Sequence, residues 1–259
     1  MRSWWRADAK AIARAAAILM ALAIAAGCAG PGGDAPAPLD PLEQNAVNAL
    51  SLGLLDEADD ALHAALNRYT MRDDLEGQWR IRHMMANLAL SRDDVAGARE
   101  QSEATTSLSG QLESSAIRYE SLLLEGRVSG RDRPFREALR LATSDLQRAV
   151  CYTYLGETER AAAILGADAN GSPSDLAFVY YRHAKASSDS SYYLDALEQY
   201  RRAGDSRGMA DTLVNMARLA ERAGDRDAAR RFSDRAIAIL SAINDGTRAN
   251  AVRTWQRSL

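Results

Sequence analysis

The chain has few of the residues that build metal sites and disulfides. Its 259 residues include two cysteines and three histidines, His63, His83 and His183, which are far apart in sequence. There is no HExxH pair, no Cys/His cluster, no GxSxG turn and no phosphate-binding glycine loop, so the usual signatures of zinc sites, hydrolases and nucleotide enzymes are missing. We therefore expect no metal, no cofactor and no catalytic residues.

Positive charge is also scarce. Lysine occurs only at Lys10 and Lys185, and the formal net charge is −3. Residues 1–27 contain four basic residues and one acidic residue, so residues 28–259 alone have a net charge of −6. A chain this acidic has no bulk attraction for nucleic acid or anionic lipid, and we expect no nucleic-acid partner.

The one long apolar run is short and lies near the N-terminus. Residues 15–26 form an apolar stretch of 12 residues behind Arg2, Arg6, Lys10 and Arg14. A membrane-spanning helix needs about 20 apolar residues, so this run is typical of a cleaved secretory signal. The alternatives are an uncleaved anchor and an ordinary signal in which the cysteine that follows is incidental.

The run ends in Ala25-Ala26-Gly27-Cys28, which resembles the lipobox of bacterial lipoproteins. The resemblance implies cleavage before Cys28 and attachment of lipid to that residue. Ala29 follows where enterobacterial lipoproteins retained at the inner membrane have Asp, and this favours an outer-membrane anchor facing the periplasm. If Cys28 carries lipid, Cys151 has no partner for a disulfide within the chain. We expect Cys151 to be a small buried apolar residue.

Residues 29–39 contain three glycines, three prolines and one charge. Such a composition does not bury enough apolar surface to fold and is typical of a linker. The predicted organisation is a signal over residues 1–27, a lipidated cysteine and tether over 28–40, and a folded region over 41–259.

Beyond residue 40 the sequence predicts only helices. Apolar residues recur at intervals of three and four, and no alternating run long enough for a strand is present. Asp40-Pro41 and Ser172-Pro173 are typical helix starts, each with an acidic residue three positions after the cap. Left-handed glycines are expected where helices end, and the candidates are Gly53, Gly156, Gly204 and Gly224. Short turns between helices predict antiparallel hairpins.

The hairpins show signs of repetition. Ala196 and Ala229 are 33 residues apart, as are Ala203 and Ala236. This period resembles the tetratricopeptide repeat, with the clearest units over residues 177–209 and 210–243. Alanines in the other hairpins echo the same position, at Ala58, Ala98, Ala138 and Ala161. We therefore predict an all-α fold, an α-solenoid of tetratricopeptide-like antiparallel hairpins. It should have about six hairpins and a C-terminal helix ending near Trp255.

The resemblance implies a groove lined by exposed positions of each first helix. The corresponding residues, which we take as candidate partner-binding residues, are Phe178, Tyr181, Arg182, Lys185, Val214, Asn215, Arg218 and Arg222. Aromatic and arginine side chains suit a peptide segment of a partner protein. The alternative is that the tyrosines pack between repeats and that the charged residues form an ordinary solvated face.

Two classes of function fit these features. The first is a scaffold lipoprotein that binds partner proteins in cell-envelope assembly, such as the pilus secretin, β-barrel or peptidoglycan machinery. The second is a cell-wall-acting enzyme of helical-solenoid type, whose acid/base residues would come from carboxylates such as Asp56 and Asp59. The lack of a catalytic constellation favours the first class.

Overall fold

A computed structural model describes residues 40–165 and 171–259. All regular secondary structure in these residues is helical, which confirms the predicted all-α class. Cys28, the signal segment and residues 28–39 of the tether lie outside the described residues. By its contacts the chain divides into two compact units, Met1–Thr143 and Ser144–Leu259.

Three helical hairpins make up the described part of the first unit. Their helices are α1 (Pro41–Leu52), α2 (Leu55–Met71), α3 (Leu75–Ser91), α4 (Val95–Gln111), α5 (Ser115–Ser129) and α6 (Asp132–Leu141). Each helix packs on the next, within hairpins and between them. The arrangement is therefore a consecutive, solenoid-like stack of pairs.

The second unit contains three more hairpins and a final helix. Its helices are α7 (Asp145–Tyr154), α8 (Thr158–Leu165), α9 (Pro173–Ser187), α10 (Ser190–Ala203), α11 (Ser206–Arg222), α12 (Arg226–Ala242) and α13 (Gly246–Gln256). The described residues thus hold six hairpins and a C-terminal helix that ends one residue past Trp255, as predicted. Helices α7 and α8 are short, with 10 and 8 residues, where the sequence spacing becomes irregular.

The expected helix boundaries are confirmed at the glycines and at two caps. Gly53, Gly156, Gly204 and Gly224 all adopt positive φ, between 71° and 83°, a conformation that costs glycine little. The Asp40 carboxylate caps α1 by accepting from the Leu42 amide at 3.0 Å. The Ser172 hydroxyl likewise accepts from the Asp175 amide at 3.4 Å and caps α9.

The predicted repeat units begin four residues too late. The helices that open the last two hairpins start at Pro173 and Ser206, whereas the units were expected to start at residues 177 and 210. The alanine pattern marks the tightly packed middle of a unit and says little about its caps. From α9 to α11 the first helices start 33 residues apart, but from α11 to α13 the distance is 40 residues.

One turn is built identically in both units. Tyr69, Asp74 and Gly77 join α2 to α3, and Tyr200, Asp205 and Gly208 join α10 to α11 with the same spacing. In each turn the aspartate accepts from the glycine amide at 2.8 Å. A side chain on either glycine would overlap the tyrosine ring, so only glycine lets the tyrosine cross the start of the next helix at this distance.

The acidic residue of the first cap has a different role from the one expected. Glu43 was predicted to complete the N-terminal cap of α1, but its side chain is buried. Its carboxylate accepts from the Tyr69 hydroxyl at 2.5 Å and from Arg80 Nε at 3.0 Å. Burial, reinforced by the bond to Glu43, raises the pKa of Tyr69 to about 12. Glu43 therefore links α1, α2 and α3 through one buried charge.

We expect Glu43→Ala to lower the free energy of unfolding by about 3–5 kcal/mol, because the Arg80 guanidinium would remain in a largely buried place without its counter-charge. The measurement is urea unfolding followed by circular dichroism at 222 nm. The control is Glu137→Ala, which removes the partner of Arg133 in an exposed pair on α6 and should cost less than about 1 kcal/mol. Equal losses in the two variants would contradict a structural role specific to Glu43.

Candidate partner-binding site

The first helices of the last two complete hairpins, α9 and α11, are tied together by one side chain. Asn215 on α11 donates to the Tyr181 hydroxyl on α9 at 2.8 Å and to the Asp211 carbonyl oxygen at 2.9 Å. Because both amide hydrogens are used, the orientation of Asn215 is fixed. The bond joins the two groups of predicted partner-binding residues into one continuous face.

The aromatic members of the predicted set are buried, which corrects the expectation that they stand exposed in a groove. Phe178 is 7% exposed and Tyr181 is 6% exposed. Phe178 packs on Tyr154 of α7 with ring centroids 4.7 Å apart. Tyr181 meets the edges of Tyr193 and Tyr200 on α10 at 6.1 and 6.4 Å. Large rings are held here because stacked hairpins need wide side chains to fill the space between them.

The polar and aliphatic members remain accessible. Arg182, Lys185, Val214 and Asn215 are half-buried, and Arg218 and Arg222 are exposed. They lie over the tyrosine layer, which supports the α9 and α11 backbones from below. What reaches solvent is therefore a basic face with one aliphatic side chain, rather than the aromatic groove that the sequence predicted.

The acidic residue on this face is engaged elsewhere. Asp211 forms an ion pair with Arg248 of α13, and its carboxylate is largely buried. Arg248 also lies 3.7 Å from the Asp245 carboxylate. The C-terminal helix thus neutralises Asp211, and Arg182, Arg218 and Arg222 set the sign of the potential on the α9 and α11 face.

Beneath the face lies a buried carboxyl group that the sequence analysis missed. Asp205 caps α11 and is 5% exposed. Its Oδ1 accepts from Gly208 N, but its Oδ2 is buried and has no hydrogen-bond partner among the described residues. Burial raises the pKa of Asp205 to about 7, against the lowering effect of the amides of Gly208 and Arg207. The unpaired oxygen is where the proton would reside.

No metal or cofactor site accompanies this face. Within residues 40–165 and 171–259 no group of three His, Cys, Asp or Glu side chains is placed to hold a metal ion. The carboxylates of Asp56 and Asp59, considered above as acid/base candidates, both bind Arg92, at 2.6 and 2.7 Å. Cys151 is fully buried, as expected.

In the part of the chain that the structure describes, no helix has both the length and the apolar character needed to cross a bilayer. In comparisons with known proteins, the chain matches no protein-family model and no curated protein.

Asp205 should make the second unit less stable as pH rises. The ordinary pKa of an aspartate is 3.8, and that of folded Asp205 is about 7. Between these values the folded state holds a proton that the unfolded state has released, so the free energy of unfolding falls across this window. Asparagine keeps the cap without the charge. We expect Asp205→Asn to be more stable than the wild type at pH 8, by about 1–3 kcal/mol, and similar to it at pH 4.

The measurement is thermal and urea unfolding at pH 4, 6 and 8. Asp225→Asn is the matched control, because Asp225 caps α12 through Ala228 N at 2.8 Å but is exposed. That variant should gain nothing at pH 8. A loss of stability at pH 8 in Asp205→Asn would show that the capping carboxylate is ionised and favourable in the folded protein.

Proposed function

We propose that this chain is a tetratricopeptide-like lipoprotein of the bacterial cell envelope, anchored through Cys28 to the outer membrane, that works as a non-enzymatic scaffold for partner proteins. Stacked hairpins support the proposal because they present extended surfaces built from many helices. The Ala25-Ala26-Gly27-Cys28 sequence supports the anchor. The tether would then hold the folded region near the membrane.

The observation that carries the proposal is the hydrogen bond from Asn215 to Tyr181. It fixes α9 and α11 side by side, so that Arg182, Val214 and Arg218 belong to one surface with a rigid aromatic support. Binding surfaces gain affinity when their side chains are held in place before the partner arrives. The basic side chains suit an extended partner segment that contributes carboxylates.

The proposal predicts where a partner protein is captured. A photoreactive residue at Val214 or Arg218, introduced into the full-length protein in living cells, should crosslink to a distinct envelope protein. The same residue at Ala238, which is exposed on α12, is the control position. Capture should decrease at least about fivefold when Arg182 and Arg222 are both changed to Glu, because charge reversal repels an acidic segment. Equal capture from Ala238 would locate the partner elsewhere.

The anchor has its own test. Cys28→Ala should move the protein from the membrane fraction to the soluble fraction, because the lipid has no other attachment residue. Its circular dichroism spectrum should not change, because Cys28 precedes the first packed helix. Mass spectrometry of the wild-type N-terminal peptide should show acylation at Cys28. Membrane association that survives the substitution and resists high salt would mean that another segment anchors the chain.

A further inference from the structure

The exposed side of α12 carries a row of arginines, Arg226, Arg230, Arg231 and Arg235. Their spacing of four, one and four residues places all four on the exposed half of the helix. Nine residues of helix separate the first from the last, a length of about 14 Å. We call these four residues the α12 ridge.

The α12 ridge differs from the other exposed arginines of this protein in its ion pairing. Arginines on other helices pair with nearby carboxylates, as Arg133 does with Glu137 and Arg201 with Glu198, both at 2.8 Å. Among the described residues, no carboxylate oxygen lies within 4.0 Å of a ridge guanidinium. Two aspartates of α12 lie on the same half of the helix, and one of them, Asp234, accepts from Gln256 of α13.

Charge is distributed unevenly along the chain. Residues 226–259 contain seven arginines and three aspartates, a formal net charge of +4. Residues 28–259 as a whole have a net charge of −6. The overall charge excludes attraction of the whole molecule to an anionic surface, but screening limits its reach to about 8–10 Å. A surface that approaches α12 closely therefore meets mainly positive charge.

The α12 ridge has no apolar anchor for a protein partner. Between and beyond the arginines the exposed residues of α12 include Ala238, Ser241 and Ala242. The large apolar side chains that are exposed in the described residues, Leu52, Met71, Val95 and Leu194, all lie on other helices. Protein interfaces rely on buried aromatic or aliphatic anchors, whereas binding to a charged membrane surface requires only cations presented together.

We propose that the α12 ridge binds the anionic headgroup surface of a phospholipid membrane, with the guanidinium groups donating to lipid phosphates. Arginine suits this role because its planar group donates two parallel hydrogen bonds to a phosphate. The proposal takes its membrane setting from the proposed function. The binding itself belongs to the folded chain and needs no lipid on Cys28, so the two can be tested separately.

The test uses the chain from residue 28 onward with Cys28→Ser, so that no acyl group contributes. We expect this protein to sediment with phosphatidylethanolamine vesicles containing roughly one quarter phosphatidylglycerol at about 50 mM salt, and to be released at about 500 mM salt. It should not sediment with phosphatidylcholine vesicles. Changing Arg230, Arg231 and Arg235 together to Gln should weaken vesicle binding about tenfold or more, because each arginine contributes to the attraction.

The matched control changes Arg133, Arg136 and Arg140 on α6 to Gln, which removes the same charge from exposed positions in the first unit. Its vesicle affinity should stay within about twofold of the parent, since screening confines the attraction to charges near the surface. Both variants should keep the parent circular dichroism spectrum.

Absence of binding to the anionic vesicles, or equal weakening by the two triple variants, would overturn the proposal. A ridge variant that keeps vesicle binding but loses crosslinks to an acidic envelope protein would assign the ridge to a protein partner instead. None of these outcomes depends on lipidation. Failure of the anchor is recognised separately, by the cell fractionation of Cys28→Ala.

Discussion

The fold depends on close contact between the two helices of each hairpin, and this contact requires an alanine near the start of the second helix. Ala58, Ala98, Ala138, Ala161, Ala196 and Ala229 occupy this place in the six hairpins, and each is completely buried. A larger side chain would push the helices apart at a packed site. Because one hairpin leaves apolar surface uncovered, each must also stack on the next.

Polar side chains then fix how successive helices meet. In the first unit Glu43 joins three helices through Tyr69 and Arg80. In the second unit Asn215 joins α9 to α11 through Tyr181. Apolar packing alone tolerates small shifts of one helix along another, whereas a buried hydrogen bond is lost when its atoms move apart. We infer that such bonds set the positions of the side chains that the two proposed surfaces present.

Much of the fold could be predicted from residues with strong local preferences. The four glycines that end helices, the caps at Asp40 and Ser172, and the buried Cys151 all lie as expected, because glycine conformation and capping act within a few residues. The candidate site was predicted less well. Phe178 and Tyr181 were expected on a groove, but whether a tyrosine points to solvent or to a neighbouring helix is decided by helices distant in sequence.

The sequence by itself determined the helical class, the number of hairpins and the alanine contacts, since these follow from periodicity and side-chain size. Only the tertiary structure decided the environment of each polar group. Glu43 and Asp205 look like ordinary helix-capping residues in sequence, yet both are buried, because neighbouring helices cover them. Burial converts a cap into an ion-paired centre in one case and a carboxyl group of raised pKa in the other, since the free energy of a charge depends on what surrounds it.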